Sequence, residues 1–234
     1  MALLTYLEPG DDFPPSSNAL EEPNGLLAAG GCLDSATLLR AYSRGIFPWY
    51  EAPQPILWWT PDPRSVLFPG ELHVSRSLRR SLRRSGYRLA VNHDFAGVMR
   101  ACAAPREGQR GTWIDAAMQR AYRRLHDEGW AHSIEVYDGE ELVGGLYGVL
   151  LGGAFFGESM FSRRPDASKI ALVALARALA SHPGALIDCQ VESGHLNSLG
   201  ARNLSRLDFE QRLAQTLSQR GPSLAVPASC EELA

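Results

Sequence analysis

The chain has 234 residues and a mass of 25.6 kDa, enough for one large domain, or a main domain with a small one, around a sizeable core. Hydrophobic residues make up 45% and charged residues 21% of the sequence, which excludes a disordered chain and a fibrous repeat. The longest uncharged run, residues 142–157, is too short to span a bilayer, and residues 1–12 lack the basic start of a secretory signal. These features predict a folded cytoplasmic protein.

The four cysteines are scattered along the chain, without a C-x-x-C motif and without a histidine pair at metal-ligand spacing. They are Cys32, Cys102, Cys189 and Cys230. We therefore predict reduced structural thiols, with no bound metal and no disulfide framework.

The formal net charge of −3 hides an uneven distribution of charge along the chain. Residues 1–39 carry six acids and neither Lys nor Arg, whereas residues 63–124 carry 13 arginines against four acids. An excess of positive charge of this size favours binding of a polyanion.

A boundary between two parts of the chain is predicted near residue 62. Six prolines between Pro48 and Pro69 interrupt a tryptophan-rich segment that cannot be one helix. Before it, Asp34 as an N-cap and Gly45 as a stop predict a short helix. We expect a small, helical N-terminal domain over residues 1–62 and a larger domain over residues 63–234.

The first helix predicted after the boundary spans residues 75–84, with the sequence SRSLRRSLRR. Leu78 and Leu82 lie four residues apart and form one narrow packing face. The other positions carry five arginines: Arg76, Arg79, Arg80, Arg83 and Arg84. Such a helix is either an ordinary solvated surface helix or a phosphate-binding surface.

The remaining elements predict a mixed sheet layered with helices. Apolar spacing predicts helices over residues 112–128, 167–181 and 207–219. Alternation of period two predicts strands over residues 133–137, 142–150 and 154–161, and a short apolar strand follows at residues 186–191. This is an α+β fold, and its order of elements is similar to that of the GNAT acyltransferases.

Two nucleotide-binding chemistries do not suit the sequence. A GNAT acetyltransferase holds coenzyme A with a glycine-rich turn, and the corresponding segment here, FSRRPDASK, has no glycine. The glycines of residues 24–31 are not followed by Gly-Lys-Ser/Thr, and Lys169 is the only lysine in the chain, which excludes a Walker-type NTPase.

Asp188 and Gln190 are the first candidates for catalysis. Alternation along a strand is expected to point both side chains to one face, where a carboxylate could polarise the amide and the amide oxygen could accept from an amine. A purely structural pair, satisfied by nearby backbone amides, is the alternative.

Glu158 and Met160 share a face of the preceding strand and suit a pocket for an aliphatic group beside a cation. The alternative for Glu158 is a buried acid paired to an arginine. Four tryptophans, at positions 49, 58, 59 and 113, favour a stacking surface, although any single one is more often a packing residue.

Short motifs occur in order along nearly the whole chain. They are EPNGLL at residues 22–27, YSRGIFPW at 42–49, ILWWTPDPR at 56–64, GTWI at 111–114, HSIEV at 132–136, FGESMFS at 156–162, ASK at 167–169, LIDCQ at 186–190, and His195 followed by SLGA at 198–201. In this combination the chain resembles the leucyl/phenylalanyl-tRNA–protein transferases up to about residue 213.

The resemblance implies a small N-terminal domain followed by a GNAT-like domain. The implied activity is transfer of Leu or Phe, and possible transfer of Met, from aminoacyl-tRNA to the N-terminal α-amine of proteins that begin with Arg or Lys. This transfer marks the acceptor for degradation by the N-degron pathway. The implied partners are Leu-tRNA and Phe-tRNA as donors and such proteins as acceptors, with no membrane and no cofactor, and we predict a monomer.

The resemblance also implies roles for individual residues. Asp188 and Gln190 match the catalytic pair, and Glu158 assists them. Leu146, where some family members carry Met, and Met160 are expected to line the pocket for the donor side chain. Three further residues match the aminoacyl-adenosine site: Trp49, Trp113 and Tyr122. The charge of the helix at residues 75–84, and not the resemblance, is the basis for expecting its five arginines to contact tRNA phosphates.

An aminoacyl ester is already activated, so its aminolysis needs neither ATP nor a metal. Two rival classes are a coenzyme A acyltransferase, which the FSRRPDASK segment opposes, and a non-catalytic adaptor for tRNA or degrons, which Asp188 beside Gln190 opposes.

Overall fold

The computed structural model describes residues 4–105, 113–219 and 221–234. Its strands are β1 (Thr5–Leu7), β2 (Leu26–Gly30), β3 (Phe47–Pro48), β4 (Leu57–Trp59), β5 (Arg64–Leu67), β6 (Arg88–Val91), β7 (Ala131–Asp138), β8 (Glu141–Leu151), β9 (Ala154–Ser162), β10 (Leu186–Gln190) and β11 (Arg202–Leu204). Its helices are α1 (Ser35–Tyr42), α2 (Arg76–Arg84), α3 (Phe95–Ala103), α4 (Ala116–Asp127), α5 (Ala167–Leu179), α6 (Gly194–Asn197) and α7 (Arg206–Leu217).

The strands form two sheets. The small sheet has the order β1-β2-β4-β3, and the large sheet has the order β11-β5-β10-β9-β8-β7-β6. Neighbours in the large sheet are antiparallel except β9 and β10, which run parallel. A parallel pair needs a long crossover connection, and α5 provides it. The prediction of an α+β fold with a mixed sheet is confirmed.

The parallel pair opens at one end. β9 and β10 pair over only three residues, from Leu186 opposite Ala154 to Asp188 opposite Phe156. Beyond that point β9 stays paired with β8 up to Ser162, whereas β10 ends at Gln190. The end of this pairing leaves a gap in the sheet, and the predicted catalytic residues lie on its two sides.

Side-chain caps explain where several helices begin. The carboxylate of Asp34 accepts the backbone N–H of Thr37 at the start of α1, and the hydroxyl of Ser75 accepts that of Leu78 at the start of α2. Each bond satisfies one of the N–H groups that a helix start leaves without an intrahelical partner. In α2 only Leu78 and Leu82 are buried, as the spacing of its leucines predicts.

Some predicted elements differ from the structure. The N-terminal part is not a helical lobe, because it contains four strands and a single α-helix within its described residues. Those strands are two to five residues long, and β2 is buried along its whole length, so no apolar alternation marks them. The helix predicted over residues 112–128 begins at Ala116 in the structure, because Asp115 is its N-cap; residue 112 lies outside the described residues.

The first part of the chain shares a hydrophobic core with the second. One cluster of buried side chains includes Tyr42, Phe47 and Trp58 together with Phe156 and Phe209. A second cluster lies on the other face of the large sheet, between the sheet, α2 and α5. The domain division at residue 62 stays a prediction. No helix within the described ranges is long and apolar enough to cross a membrane.

Candidate active site

A cavity of about 220 Å³ lies where the pairing of β9 and β10 ends. It is smaller than the roughly 300–1,000 Å³ of pockets that hold drug-sized ligands, and its size suits one amino-acid side chain. Its apolar wall includes Leu146, Met160, Phe155, Leu172, Leu175 and Ile187. Leu146 and Met160 are opposite each other on β8 and β9, so the sheet places both predicted pocket residues in this wall.

Glu158 is the centre of a buried hydrogen-bond network at the polar side of the cavity. Its Oε1 accepts from the hydroxyl of Tyr42 at 2.7 Å and from Nε2 of Gln190 at 3.0 Å, and its Oε2 accepts from the hydroxyl of Tyr122 at 2.9 Å. The two tyrosine hydroxyls also contact each other. Within the described residues, Glu158 pairs with these neutral groups and with no arginine. The alternative, a buried acid paired to an arginine, is therefore not what the described part of the structure shows.

Burial raises the pKa of Glu158 from 4.5 to about 7, although the hydrogen bonds from Tyr42, Tyr122 and Gln190 lower it. Burial also raises the pKa of both tyrosines well above 10, and the negative charge of Glu158 adds to that increase. The hydroxyls therefore stay protonated and can donate to the carboxylate. A carboxyl group that titrates near neutral pH is typical of a functional site.

Asp188 is fully buried and pairs with Arg64. Nε of Arg64 donates to Oδ1 at 2.8 Å and Nη2 donates to Oδ2 at 2.6 Å. The guanidinium of Arg64 lies between two aromatic rings, 4.8 Å from the centroid of Phe47 and 4.7 Å from that of Phe209. Paired geometry and cation–π contacts offset part of the cost of burying both charges.

Gln190 ends β10 in an unusual backbone conformation. Its φ is +63°, a left-handed value that L-residues rarely adopt and that costs free energy. The N–H of Val191 donates to the carbonyl of Cys189 at 2.7 Å and closes a γ-turn around Gln190. The backbone N–H of Gln190 itself donates to Oδ1 of Asp188 at 2.9 Å. Asp188 thus holds the turn that directs the Gln190 side chain.

The predicted contact between the Asp188 carboxylate and the Gln190 amide is wrong. Strand alternation breaks at Gln190, where the register between β10 and β5 shifts. Asp188 accepts the backbone N–H of Gln190, and the carboxylate that binds the side-chain amide is Glu158. The three residues do meet in one site, and their catalytic roles stay predictions.

The other residues predicted for substrate binding are spread over a wider area. Tyr122 is completely buried and contacts Glu158, so it lies behind the cavity wall. Trp113 is half-buried against the first core cluster. Trp49 is 46% exposed, and its ring lies beside that of Trp59. Trp58 is fully buried and packs edge-on against Phe13, so it cannot belong to a stacking surface.

All five arginines of α2 are exposed. Among the described residues, none of their side chains makes an ion pair or a hydrogen bond. Arg64, which the sequence count includes in the same basic region, is instead buried and neutralised by Asp188. The positive surface around α2 is therefore available to a ligand.

Sequence reasoning missed Tyr42 and Arg64 as parts of the site. Tyr42 begins the YSRGIFPW motif and Arg64 ends the ILWWTPDPR motif, and no local pattern around either residue indicates a role in catalysis. Tyr42 and Glu158 are 116 positions apart, and Arg64 and Asp188 are 124 apart. Their membership in the quoted motifs was the only available signal.

Comparisons with known proteins identify a family for this chain. The model of the "Leucyl/phenylalanyl-tRNA protein transferase" family matches residues 66–214, and that of its N-terminal domain matches residues 31–62. Among solved structures, L-PGS from Bacillus licheniformis matches over 71% of this chain and 53% of that one. Its TM-score of 0.39 and its 11% identity are too low to support a conclusion about fold or function.

Several curated relatives carry the name leucyl/phenylalanyl-tRNA–protein transferase. The one from Pseudomonas aeruginosa UCBPP-PA14 is 56% identical over 93% of this chain and 96% of its own length. The one from Chromohalobacter salexigens is 58% identical over 93% of this chain and 85% of its own length. The one from Pseudomonas fluorescens Pf-5 is 54% identical over 96% of this chain and 99% of its own length. The chain belongs to the leucyl/phenylalanyl-tRNA–protein transferase family, and the prediction of an aminoacyltransferase is confirmed.

Proposed function

We propose that this protein transfers Leu or Phe from aminoacyl-tRNA to the N-terminal α-amine of proteins that begin with Arg or Lys, and so marks them for degradation by the N-degron pathway in the cytoplasm. The observation that carries the proposal is the apolar cavity at the gap between β9 and β10, with Glu158 and Gln190 at its polar side. Family membership supports the choice of donor and acceptor.

The cavity provides for the donor side chain. Its wall is formed by branched, aromatic and thioether side chains, which favour a large apolar group over Ala or Val. Leu and Phe both fit this description, and so does Met. With the side chain in the cavity, the ester carbon of the aminoacyl group lies near Gln190.

Gln190 provides an acceptor for the incoming amine. Because Nε2 of its amide is bound to Glu158, the amide oxygen is the atom left to face the substrate. An ionised Glu158 accepts the hydrogen bond from the amide N–H, which polarises the amide and increases the negative charge on its oxygen. The oxygen then accepts an N–H of the α-amine and aligns the nitrogen with the ester carbon.

The reaction is an aminolysis of an activated ester. The neutral amine attacks the carbonyl carbon, the C–N bond forms and the bond from that carbon to the ribose oxygen breaks. The proton lost by the nitrogen ends on the ribose oxygen. In this scheme Asp188 and Arg64 act through the backbone of Gln190 and are positioning residues.

The proposal extends to the fold and the partners. The gap at the end of a parallel pair supports a GNAT-like arrangement for the large sheet, and the exposed arginines of α2 support a contact with tRNA phosphates. We assign Trp49 and Trp113 to the aminoacyl-adenosine site, with Tyr122 supporting it from behind. The protein acts as a monomer in this scheme.

The decisive experiment mixes the protein with labelled Leu-tRNA and a peptide that begins with Arg, and measures label in the peptide. A peptide that begins with Ala is the control acceptor. Gln190→Ala should lower kcat by about 10²–10⁴, the range for positioned acid–base groups, whereas Gln215→Ala, on the exposed face of α7, should leave kcat unchanged. No label in the Arg peptide with the wild-type protein would refute the proposal.

A further inference from the structure

A polar cluster lies between α2 and the cavity, and the reaction as described makes no use of it. The hydroxyl of Ser81, on α2, donates to Oδ2 of Asp166 at 2.7 Å, and Nζ of Lys169 donates to Oδ1 of Asp166 at 2.9 Å. Both carboxylate oxygens of Asp166 are therefore occupied. The result is that the only lysine of the chain is held in a fixed place in the first turn of α5.

Lys169 lies on α5 close to the cavity wall, although its own side chain does not line the cavity. Leu172, which follows it by three residues on the same face of α5, lines the cavity wall, about one helical turn or 5 Å further along. His195 lines the same cavity from α6. Burial, and then the positive charge of Lys169, lower the pKa of His195, while the negative charge of Asp166 raises it.

These groups can still receive a ligand. The side chain of Lys169 is 34% exposed, and one of its three N–H groups is used by Asp166. The imidazole of His195 has no hydrogen-bond partner in the described ranges of the chain. Together with the exposed arginines of α2, Lys169 extends the basic surface from that helix toward the cavity, and His195 adds a ring N–H donor at the cavity itself.

We propose that Lys169 and His195 bind the phosphodiester that precedes the 3′-terminal adenosine of the donor tRNA. The proposal rests on the proposed function. When the aminoacyl side chain fills the cavity, the attached nucleotide must lie outside it, beyond its rim. The first negatively charged group of the tRNA beyond the rim is this phosphate. A lysine ammonium is a common phosphate ligand, and Asp166 orients it while its own oxygens are satisfied by hydrogen bonds.

The test measures the binding of two unreactive donor analogues by calorimetry. Both are 3′-leucylamino-adenosines, in which an amide replaces the ester, and only one carries a 5′-phosphate. The quantity of interest is the ratio of their two Kd values. In the wild-type protein the phosphate should improve binding about tenfold or more, the effect of one charge-assisted hydrogen bond.

Lys169→Gln and His195→Gln should each reduce this ratio severalfold, and Lys169→Arg should restore most of it. Arg177→Gln removes one exposed positive charge from the last turn of the same helix and should leave the ratio unchanged. Thermal unfolding of each variant checks that it is folded. Any of three outcomes overturns the proposal. They are a ratio near one in the wild-type protein, a ratio in Lys169→Gln equal to that of the wild type, and no measurable binding of the phosphorylated analogue. Because binding is measured without transfer, these outcomes are separate from a failure of the labelling experiment.

Discussion

Arg64 and Asp188 form a buried ion pair at 2.6 Å with no more than 1% of either side chain exposed. Removing one partner leaves the other charge buried without compensation. We expect Arg64→Met to lower the free energy of unfolding by about 3–5 kcal/mol. Urea denaturation monitored by circular dichroism measures this loss.

The control for this prediction is Arg164→Met, because Arg164 pairs with Glu141 at 3.2 Å while both side chains are about half exposed. An exposed pair contributes roughly 0–1 kcal/mol, so this variant should be nearly as stable as the wild type. A similar decrease in the free energy of unfolding in the two variants would show that the buried Arg64–Asp188 pair contributes no more to stability than the exposed pair.

Glu158 should make stability depend on pH. Its pKa is raised from 4.5 to about 7 in the folded state, so the folded protein holds a proton there that the unfolded chain releases above pH 4.5. The contribution of Glu158 to stability is therefore complete below pH 4.5 and is lost as the pH rises to about 7. The loss is on the order of 3 kcal/mol.

The measurement is the free energy of unfolding of the wild type and of Glu158→Gln between pH 4.5 and 8. The difference between the two proteins should change by this amount and level off above pH 7. Glu141→Gln, at an exposed carboxyl group, should follow the wild-type curve. A pH-independent difference between the wild type and Glu158→Gln would contradict the raised pKa.

At the scale of elements, the facing strands β8 and β9 set the width of the donor pocket, through Leu146 opposite Met160. Met160→Ala enlarges the pocket, so kcat/KM for Phe-tRNA relative to Leu-tRNA should rise about tenfold. A change of this size lies within the roughly 1–3 kcal/mol by which a hydrophobic pocket discriminates substrates that differ by one methylene. Steady-state kinetics with both donors measures the ratio.

Met99→Ala is the matched control, since Met99 is buried in α3 and does not line the cavity. It should cost about 2–5 kcal/mol of stability and leave the donor ratio unchanged. An unchanged ratio in Met160→Ala would remove Met160 from the pocket.

The helix α2 carries the prediction about tRNA. Reversing Arg76, Arg80 and Arg84 to Glu removes up to three phosphate contacts, so the slope of log Kd against log salt concentration should fall by about 2 to 3. Leu78 and Leu82 stay in place, which keeps the helix packed. Filter binding over a range of salt concentrations measures the slope.

A donor without the tRNA body separates this effect from damage to the active site. Aminoacyl-adenosine should react with the triple variant much as with the wild type, and Arg177→Glu, at the far end of α5, should change the slope little. Equal losses with tRNA and with aminoacyl-adenosine would refute the assignment of α2 to tRNA binding.

At the scale of the whole molecule, the site joins residues from both sheets. Tyr42 follows β2 in the chain and reaches Glu158 on β9, and Phe47 of β3 packs on Arg64 of β5. Since one buried cluster contains side chains from both parts, we expect a single cooperative unfolding transition.

Two spectroscopic probes can test this cooperativity. Three of the five tryptophans, at positions 49, 58 and 59, lie in or beside the small sheet, so their fluorescence mainly reports that part. Far-UV circular dichroism reports all helices and strands. The two denaturation curves should coincide, and separate midpoints would show that the small sheet unfolds independently.

The sequence by itself determined the features that depend on neighbouring residues. Asp34 caps a helix where it was predicted to, and Leu78 and Leu82 form the buried face of α2 as their spacing predicted. The strands of the large sheet with clear alternation, β7, β8 and β9, begin and end within two residues of their predicted bounds. The ordered motifs also identified the family. A cap, a helix face and an alternating strand each need only a few adjacent side chains, so they can be recognised in a single sequence.

Only the tertiary structure decided which side chains meet. Arg64 was counted among the arginines available to a polyanion, yet it is buried against Asp188, and Glu158 binds the amide that Asp188 was expected to bind. The left-handed turn at Gln190 reversed a prediction based on alternation. These outcomes depend on contacts between residues more than 30 positions apart and on the close packing of a shared core, and no local pattern in the sequence encodes either.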